Sequence, residues 1–166
     1  MLADLGARGL KIHPGYDKLP ARHPAYQALF EVARARKLFV IVHTGCFGSP
    51  GQRHGDADPR DYSHFFERFR DVRVCLAHMN RDTPDVAFAL MKKHEQLYTD
   101  TSWQPAAAIR RALNEVGVER ILLGSDWPLL HTAVQKESIA ILRRATTVPQ
   151  FEAVSNSNAK RFLAGG

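Results

Sequence analysis

The chain has 166 residues and a mass of 18.6 kDa, enough for one domain with a real core and no need of disulfide or metal staples. Its 45% apolar and 24% charged residues exclude a disordered chain, and its longest uncharged run, residues 38–52, carries Gly, Ser, Pro and Gln and is too short and polar to cross a membrane. The net charge of +6 is spread over both halves without a block of five like charges, which suits a solvated basic surface that attracts anionic substrates and excludes a nucleic-acid stripe. Two cysteines, Cys46 and Cys75, are too few for a disulfide framework or a zinc–cysteine cluster. With no signal-peptide pattern at the start, a reducing cytoplasm is the expected home.

Residues 2–6 read as the last turn of a helix stopped by Gly6, so the chain is expected to begin inside an element. Either that helix is vestigial or the chain is the C-terminal part of a longer protein. Strands are then predicted at 9–13 (GLKIH), 39–43 (FVIVH), 72–78 (VRVCLAH), 97–102 (LYTDTS) and 120–126 (RILLGSD). Several are near-continuous Val/Ile/Leu runs, as in parallel strands covered on both faces. Helical periodicity fills 24–37, 59–70, 84–95, 105–117 and 131–145, with a further stretch from about 149. Pro24, Pro59, Pro84, Pro105 and Pro149 stand where first helical residues belong, and Asp58 and Thr83 precede two of them as N-caps. Strand–helix alternation without a hairpin signal predicts an α/β fold of βαβ units.

Ligands and catalytic groups of parallel α/β folds gather at the C-terminal strand ends. Those ends read His13, His43, His78, Asp100 with Ser102, and Asp126. Neutral imidazole and carboxylate are the usual ligands of zinc and similar ions in hydrolytic sites. One such His is readily a structural hydrogen-bonder, and His23, His64 and His94, on or beside helices, are read so. His43, His78 and Asp126 argue collectively, since a packing role explains three such groups poorly.

Alternation refines the picture. With His43 inward, Phe39 and Ile41 also face in; with His78 inward, Val74 and Leu76 would fill the interior and Cys75 would face a helix as an inert buried thiol. With Asp126 inward, Gly124 and Leu122 follow. Lys11 shares the inward face with His13 and is read as a substrate-anion binder or a partner of the site groups. The long loop 44–58 has the length of a lid or of a plain surface loop, and as a lid it would let Arg53 and His54 meet a substrate carboxylate. Trp103 and Trp127, each just past a strand end, are expected to line the mouth.

The segments GARGLKIHP (6–14), VIVHTG (40–45), VCLAHMN (74–80), LYTDTS (97–102), RILLGSDWP (120–128) and NAKRFL (158–163) resemble the amidohydrolase-related family of metal-dependent TIM-barrel enzymes. TatD-type hydrolases are a weaker resemblance. The resemblance spans nearly the whole chain, read as a single domain over 1–166, and implies a partial (β/α)8 barrel covering strands four to eight. It implies that His43 is the fifth-strand metal ligand. By the same resemblance His78 is the sixth-strand His that polarises the substrate or its water or binds a second metal, and Asp126 is the eighth-strand ligand that also takes the water's proton. His13, Lys11, Arg53, His54 and Trp127 are the expected substrate contacts. The implied cofactor is a divalent metal, zinc first and manganese second. The implied reaction is hydrolysis of an amide, ester or lactone of a small anionic substrate; the alternative is a lyase, decarboxylating an aromatic or unsaturated acid. Two departures stand out: the family's first-strand His-x-His pair is absent, and Met79-Asn80 follow His78 where the family has Gly.

Five strands cannot close a barrel, so the edge strands are expected to stay open to self-association or pairing, and an inactive partial barrel is a further reading. A five-stranded flavodoxin-like binding domain is the third, although HPGYDKLP makes a poor phosphate loop. No nucleic-acid or membrane partner is expected.

Overall fold

The computed structural model describes residues 6–45, 57–81, 83–128 and 132–164. Strands β1 (Gly9–Ile12), β2 (Phe39–Val42), β3 (Val74–Leu76), β4 (Leu97–Asp100) and β5 (Ile121–Leu122) form one sheet in the order β1-β2-β3-β4-β5. Every pair is parallel. Each crossover thus returns the chain to the adjacent position, which winds the sheet in one direction as in a segment of a barrel. A doubly wound flavodoxin-like sheet reverses its order at a switch point, and that reading is excluded. β1 and β5 form the two edges of this open sheet.

The helices are α1 (Pro14–Asp17), α2 (Pro24–Ala35), α3 (Ser63–Arg68), α4 (Pro84–Lys93), α5 (Ala106–Val116), α6 (Thr132–Ala145), α7 (Val148–Glu152) and α8 (Asn158–Ala164). Pro24 and Pro84 occupy first positions, and Pro59 opens a 3-10 turn over Pro59–Tyr62 whose N-cap Asp58 accepts from the Arg60 N–H. Thr83 holds the N-cap position of α4 without a side-chain cap bond. Pro105 proves to be the N-cap of α5 and not its first residue. Pro149 is the second residue of α7, because Thr147 and Gln150 build a capping box one residue earlier. The one-turn α1 was not anticipated.

Cross-strand register sorts the side chains into two faces. Leu10, Val40, Val74 and Leu97 form one row, and Ile12, Val42, Leu76, Thr99 and Ile121 the next. These rows pack with Phe30, Phe66, Phe88, Ile109 and Leu142 from the helices in the main core. The opposite face carries the row Lys11, Ile41, Cys75 and Tyr98, with Asp100 beside Leu122. A second, smaller core forms there from Cys75, Leu122 and Phe162, flanked by Phe39, Ile41 and Tyr98.

This corrects the expected parity of β3: Val74 and Leu76 pack toward the helices, and Cys75 lies on the inner face. The strand stops at Leu76, and a turn over Ala77–Asn80 follows in which His78 has φ 64° and Met79 φ 50°. A left-handed turn resets side-chain direction, so alternation counted back from His78 fails. The other predicted strands also end earlier, at Ile12, Val42, Asp100 and Leu122, with their polar terminal residues in the loops beyond.

Helix α8 plugs the inner face near the strand starts. The Phe162 ring lies 4.8 Å from both Phe39 and Tyr98. Two arginines satisfy carbonyls at the end of α8: Arg8 Nη2 donates to the Leu163 carbonyl at 3.0 Å, and Arg73 Nη1 to that of Arg161 at 3.1 Å and to that of Phe162. Fully buried Asn158 donates through Nδ2 to the Val118 and Ile121 carbonyls at 2.7 Å each, tying α8 to β5. Truncating the plug leaves a hole between two aromatic rings. Phe162→Ala is therefore expected to lower unfolding free energy by about 3 kcal/mol, read from the urea midpoint at constant slope.

Candidate functional site

His13, His43, His78 and Asp126 all fall past the C-terminal ends of their strands, as do Ser102 and Trp103, while Asp100 is the last residue of β4. Several of these positions adopt the left-handed backbone that side chains disfavour: His78 (φ 64°), Met79 (φ 50°), Asn80 (φ 55°), Trp103 (φ 63°) and Asp126 (φ 55°). Each such residue costs of order 1 kcal/mol or more, and such strain concentrates where a backbone must aim functional groups.

Three imidazoles lie against one another. His13 stacks on His43 with ring centroids 4.0 Å apart and planes 12° from parallel. His43 meets His78 edge to face at 5.0 Å, with His43 Nδ1 3.2 Å from His78 Nε2. On its other side His78 Nδ1 is 2.6 Å from Ser102 Oγ, and the Ser102 hydroxyl donates to Asp100 Oδ1. His78 and Ser102 are almost wholly buried, 4% and 1% exposed, so this polar chain is shielded from water.

Asp100 collects donors from two strands. Oδ1 also accepts the Ser102 N–H at 2.9 Å, and Oδ2 accepts the His78 N–H at 3.3 Å and the Cys75 thiol at 3.9 Å. Gly124 makes room for this carboxylate, since a Cβ there would sit 2.6 Å from Oδ1. The turn carrying His78 is pinned from outside as well. Gln104 Nε2 donates to the His78 carbonyl at 2.6 Å, Thr44 Oγ1 to the Ala77 carbonyl at 2.5 Å, and the Asn80 N–H to Thr44 Oγ1 at 3.1 Å. Gly45 (φ +88°) allows the close pass of that turn, because a Cβ would lie 2.8 Å from Arg81 Cβ.

Asp126 accepts from the Trp103 indole N–H at 2.7 Å, and the Arg81 guanidinium covers the Trp103 ring at 4.6 Å. Trp127 is exposed. Lys11 is exposed on the inner row and depresses the basicity of all three histidines. Arg53, His54 and Cys46 lie outside the described residues. The other histidines have plain structural places: His23 caps α2 by accepting from the Ala25 N–H, His64 lies tilted against Phe65, and His94 is buried beside Phe66.

Asp100 and Ser102 were visible as a polar strand end but had no role assigned, because their partner lies on another strand. Arg81 and Gln104 carried no motif at all.

Electrostatics keep the imidazoles neutral. Burial first, then the neighbouring His13, His78 and Lys11, push His43 down to about 3, against a weaker upward pull from the Gly45 backbone. His13 is lowered by burial and Lys11. His78 is lowered by burial, with Asp100 and Asp126 opposing. Burial drives the Cys75 thiol well up, so it is no nucleophile. The neutral imidazole of His43 and the Asp126 carboxylate are suitable donors for a divalent cation. Their number falls short: among the described residues no group of three or more His, Cys, Asp or Glu side chains is arranged to hold an ion.

The His43 shift makes stability depend on pH. An unfolded His titrates near 6.5 and the folded one near 3, so between these values the unfolded chain binds more protons and stability falls as pH drops. For chelator-treated protein, the urea midpoint is expected to be lower at pH 5 than at pH 7.5, and His43→Gln to narrow that gap. Equal midpoints for the unsubstituted protein would refute burial as the cause.

Comparison with curated proteins finds no match. Among solved structures, an uncharacterized TIM-barrel protein from Bordetella bronchiseptica superposes with a TM-score of 0.83 at 21% identity, over 99% of this chain and 59% of that one. A putative 2-pyrone-4,6-dicarboxylic acid hydrolase from Pseudomonas putida gives 0.69 at 17% identity, over 98% and 65%. A dihydroxybenzoic acid decarboxylase from Polaromonas, determined with bound manganese and the inhibitor 2-nitroresorcinol, gives 0.64 at 14% identity, over 87% and 55%. The chain thus spans less than two thirds of the length of each, and the likeness shows the fold: an open segment of a TIM barrel. The family described as amidohydrolase matches residues 1–164, and the chain belongs to that family.

Proposed function

We propose that the full-length protein is a metal-dependent hydrolase that opens an amide, ester or lactone bond of a small anionic substrate. The observation that carries this reading is the meeting of neutral His43 and His78 above the inner core, with Asp126 at the neighbouring mouth. His43 and Asp126 would be ligands of a divalent cation, zinc first and manganese second, in a set that needs further donors. Such a cation would supply polarisation of the reacting carbonyl and a more acidic water. Asp126 receives the proton of the attacking water, and the Trp103 indole holds its carboxylate in place. His78 orients or polarises the substrate carbonyl. Lys11 and His13 bind the anionic end of the substrate, with Arg53 and His54 as further candidate contacts, and Trp127 walls the mouth.

A second reading, decarboxylation of an aromatic acid, draws on the aromatic cluster of Tyr16, His13 and His43. His13 stacks on His43 at 4.0 Å and Tyr16 lies tilted by 39° against His13 at 4.1 Å, a face on which a planar ring could lie. The Polaromonas protein is a dihydroxybenzoic acid decarboxylase. A panel of small lactones, esters and hydroxybenzoic acids separates the two: hydrolysis yields a new carboxylate without gas, decarboxylation yields carbon dioxide. Asp126→Asn and His43→Ala are each expected to lower kcat/KM by at least about 100-fold while leaving the circular dichroism unchanged. Retained activity in Asp126→Asn would remove the proposed proton acceptor.

The 166-residue chain alone is expected to hold zinc weakly and to turn over nothing, because two suitable donors do not make a site of three or four. Its β1 and β5 edges are open to strand pairing and are expected to favour self-association. Metal analysis after dialysis, together with sedimentation, checks this. A monomer retaining one equivalent of zinc would refute it.

A further inference from the structure

We infer that Asp100 and Ser102 are positioning residues that lock the His78 ring with its proton on Nδ1 and turn Nε2 into the working nitrogen of the site. This deepens the reading above, which gives His78 a chemical role.

The direction of each hydrogen bond follows from what the groups can offer. A carboxylate has lone pairs only, and Asp100 is surrounded by donors: the His78 N–H at 3.3 Å, the Ser102 N–H at 2.9 Å, the Cys75 thiol at 3.9 Å and the Ser102 hydroxyl. The Ser102 hydroxyl has one hydrogen, and it is spent on Asp100. Toward His78 Nδ1, 2.6 Å away, Ser102 Oγ therefore presents a lone pair, and Nδ1 must carry the hydrogen. This holds whatever the charge of the ring. In the neutral ring the remaining lone pair is on Nε2, which faces His43 Nδ1 at 3.2 Å. That bond then runs from His43 to His78, and the proton of His43 is placed on its Nδ1. The lone pair of His43 in the neutral ring then falls on Nε2. One carboxylate on β4 thus sets, through a serine, the tautomer of two histidines on two other strand ends.

The fold around the relay fits positioning. Asp100 is held by backbone N–H groups of both His78 and Ser102, so it is fixed before any ligand arrives. Gly124 is the residue that admits it, with no Cβ to meet Oδ1. Gln104 grips the His78 carbonyl at 2.6 Å, so the ring cannot be relieved by backbone movement. Supporting partners of this kind typically cost 10–100-fold when removed.

The test is long-range 1H–15N NMR of the imidazole nitrogens in the metal-free, substrate-free protein near neutral pH, with Ser102→Ala and Asp100→Asn alongside. The expected spectrum shows His78 and His43 both protonated at Nδ1, and in Ser102→Ala a mixture of tautomers at His78. Kinetically, in the full-length, metal-loaded protein, Ser102→Ala is expected to lose about 10–100-fold in kcat with KM nearly unchanged. His78 protonated at Nε2 alone in the unsubstituted protein would overturn the inference, and so would a His78 spectrum that Ser102→Ala leaves unaltered. The measurement on the unsubstituted protein stands even if a variant fails to fold. A wrong tautomer with turnover intact overturns the relay and spares the reaction class. The expected tautomer without turnover in the full-length, metal-loaded protein supports the relay and counts against the reaction class.

Discussion

The carboxylate of Asp100 is the point on which the upper half of the molecule depends. It lies at the end of β4 and accepts from the backbone and the hydroxyl of Ser102, from the backbone of His78 and from the Cys75 thiol. A partly buried charge of this kind is stabilised by the donors that converge on it. Those donors come from β3, from the turn after it and from the turn after β4. Satisfying one group therefore fixes the relative placement of two strand ends. The left-handed backbone at His78 and Trp103 is the local cost of bringing donors to that spot.

The strand–helix alternation was legible in the sequence because parallel strands covered on both faces write continuous apolar runs, and prolines mark the helix starts. Order and direction of the strands followed. The His-ended strands were legible for the same reason: polarity switches abruptly after the last apolar residue. What was not legible was the parity of β3. In FVIVH the count runs unbroken to His43, and Phe39 and Ile41 do lie on the inner face. In VCLAHMN the strand ends two residues before His78, and a left-handed turn stands between. Alternation is a property of extended backbone and carries no information across such a turn. Asp100 and Ser102 were equally visible as letters, but their meaning depends on a cross-strand partner that only register supplies.

The two faces of the sheet divide the work. Toward the helices, rows of Val, Leu and Ile form the main core and hold the sheet flat against α2 to α6. On the inner face the lower part is closed by Phe162 of α8, and apolar Ile41 and Cys75 follow above it. Only past this plug do ionisable groups begin. The layering puts the imidazoles on an apolar floor, and that floor is why their basicity falls. Lys11 adds to the effect from the same face. Neutral imidazole is thereby the resting form without any special acid–base partner, and lone pairs, not charge, are what the histidines present.

An open sheet changes what such a floor can do. In a closed barrel the inner row Lys11, Ile41, Cys75 and Tyr98 would continue into further strands, and the groups at its upper rim would be sheltered on all sides. Here the row ends at β1, where Lys11 is exposed, while Cys75 at its centre is 2% exposed. Shielding on the inner face is therefore graded across the sheet, deepest at β3, partial at β4 and lost at β1. The buried pair Ser102–His78 sits where the grade is highest. His13, nearest the edge, is lowered first by burial and then by the charge of Lys11. Strand neighbours beyond β1 would lower the dielectric around Lys11 and His13 most and leave the His78 relay almost untouched, so the relay is the part of the site that the 166 residues already complete.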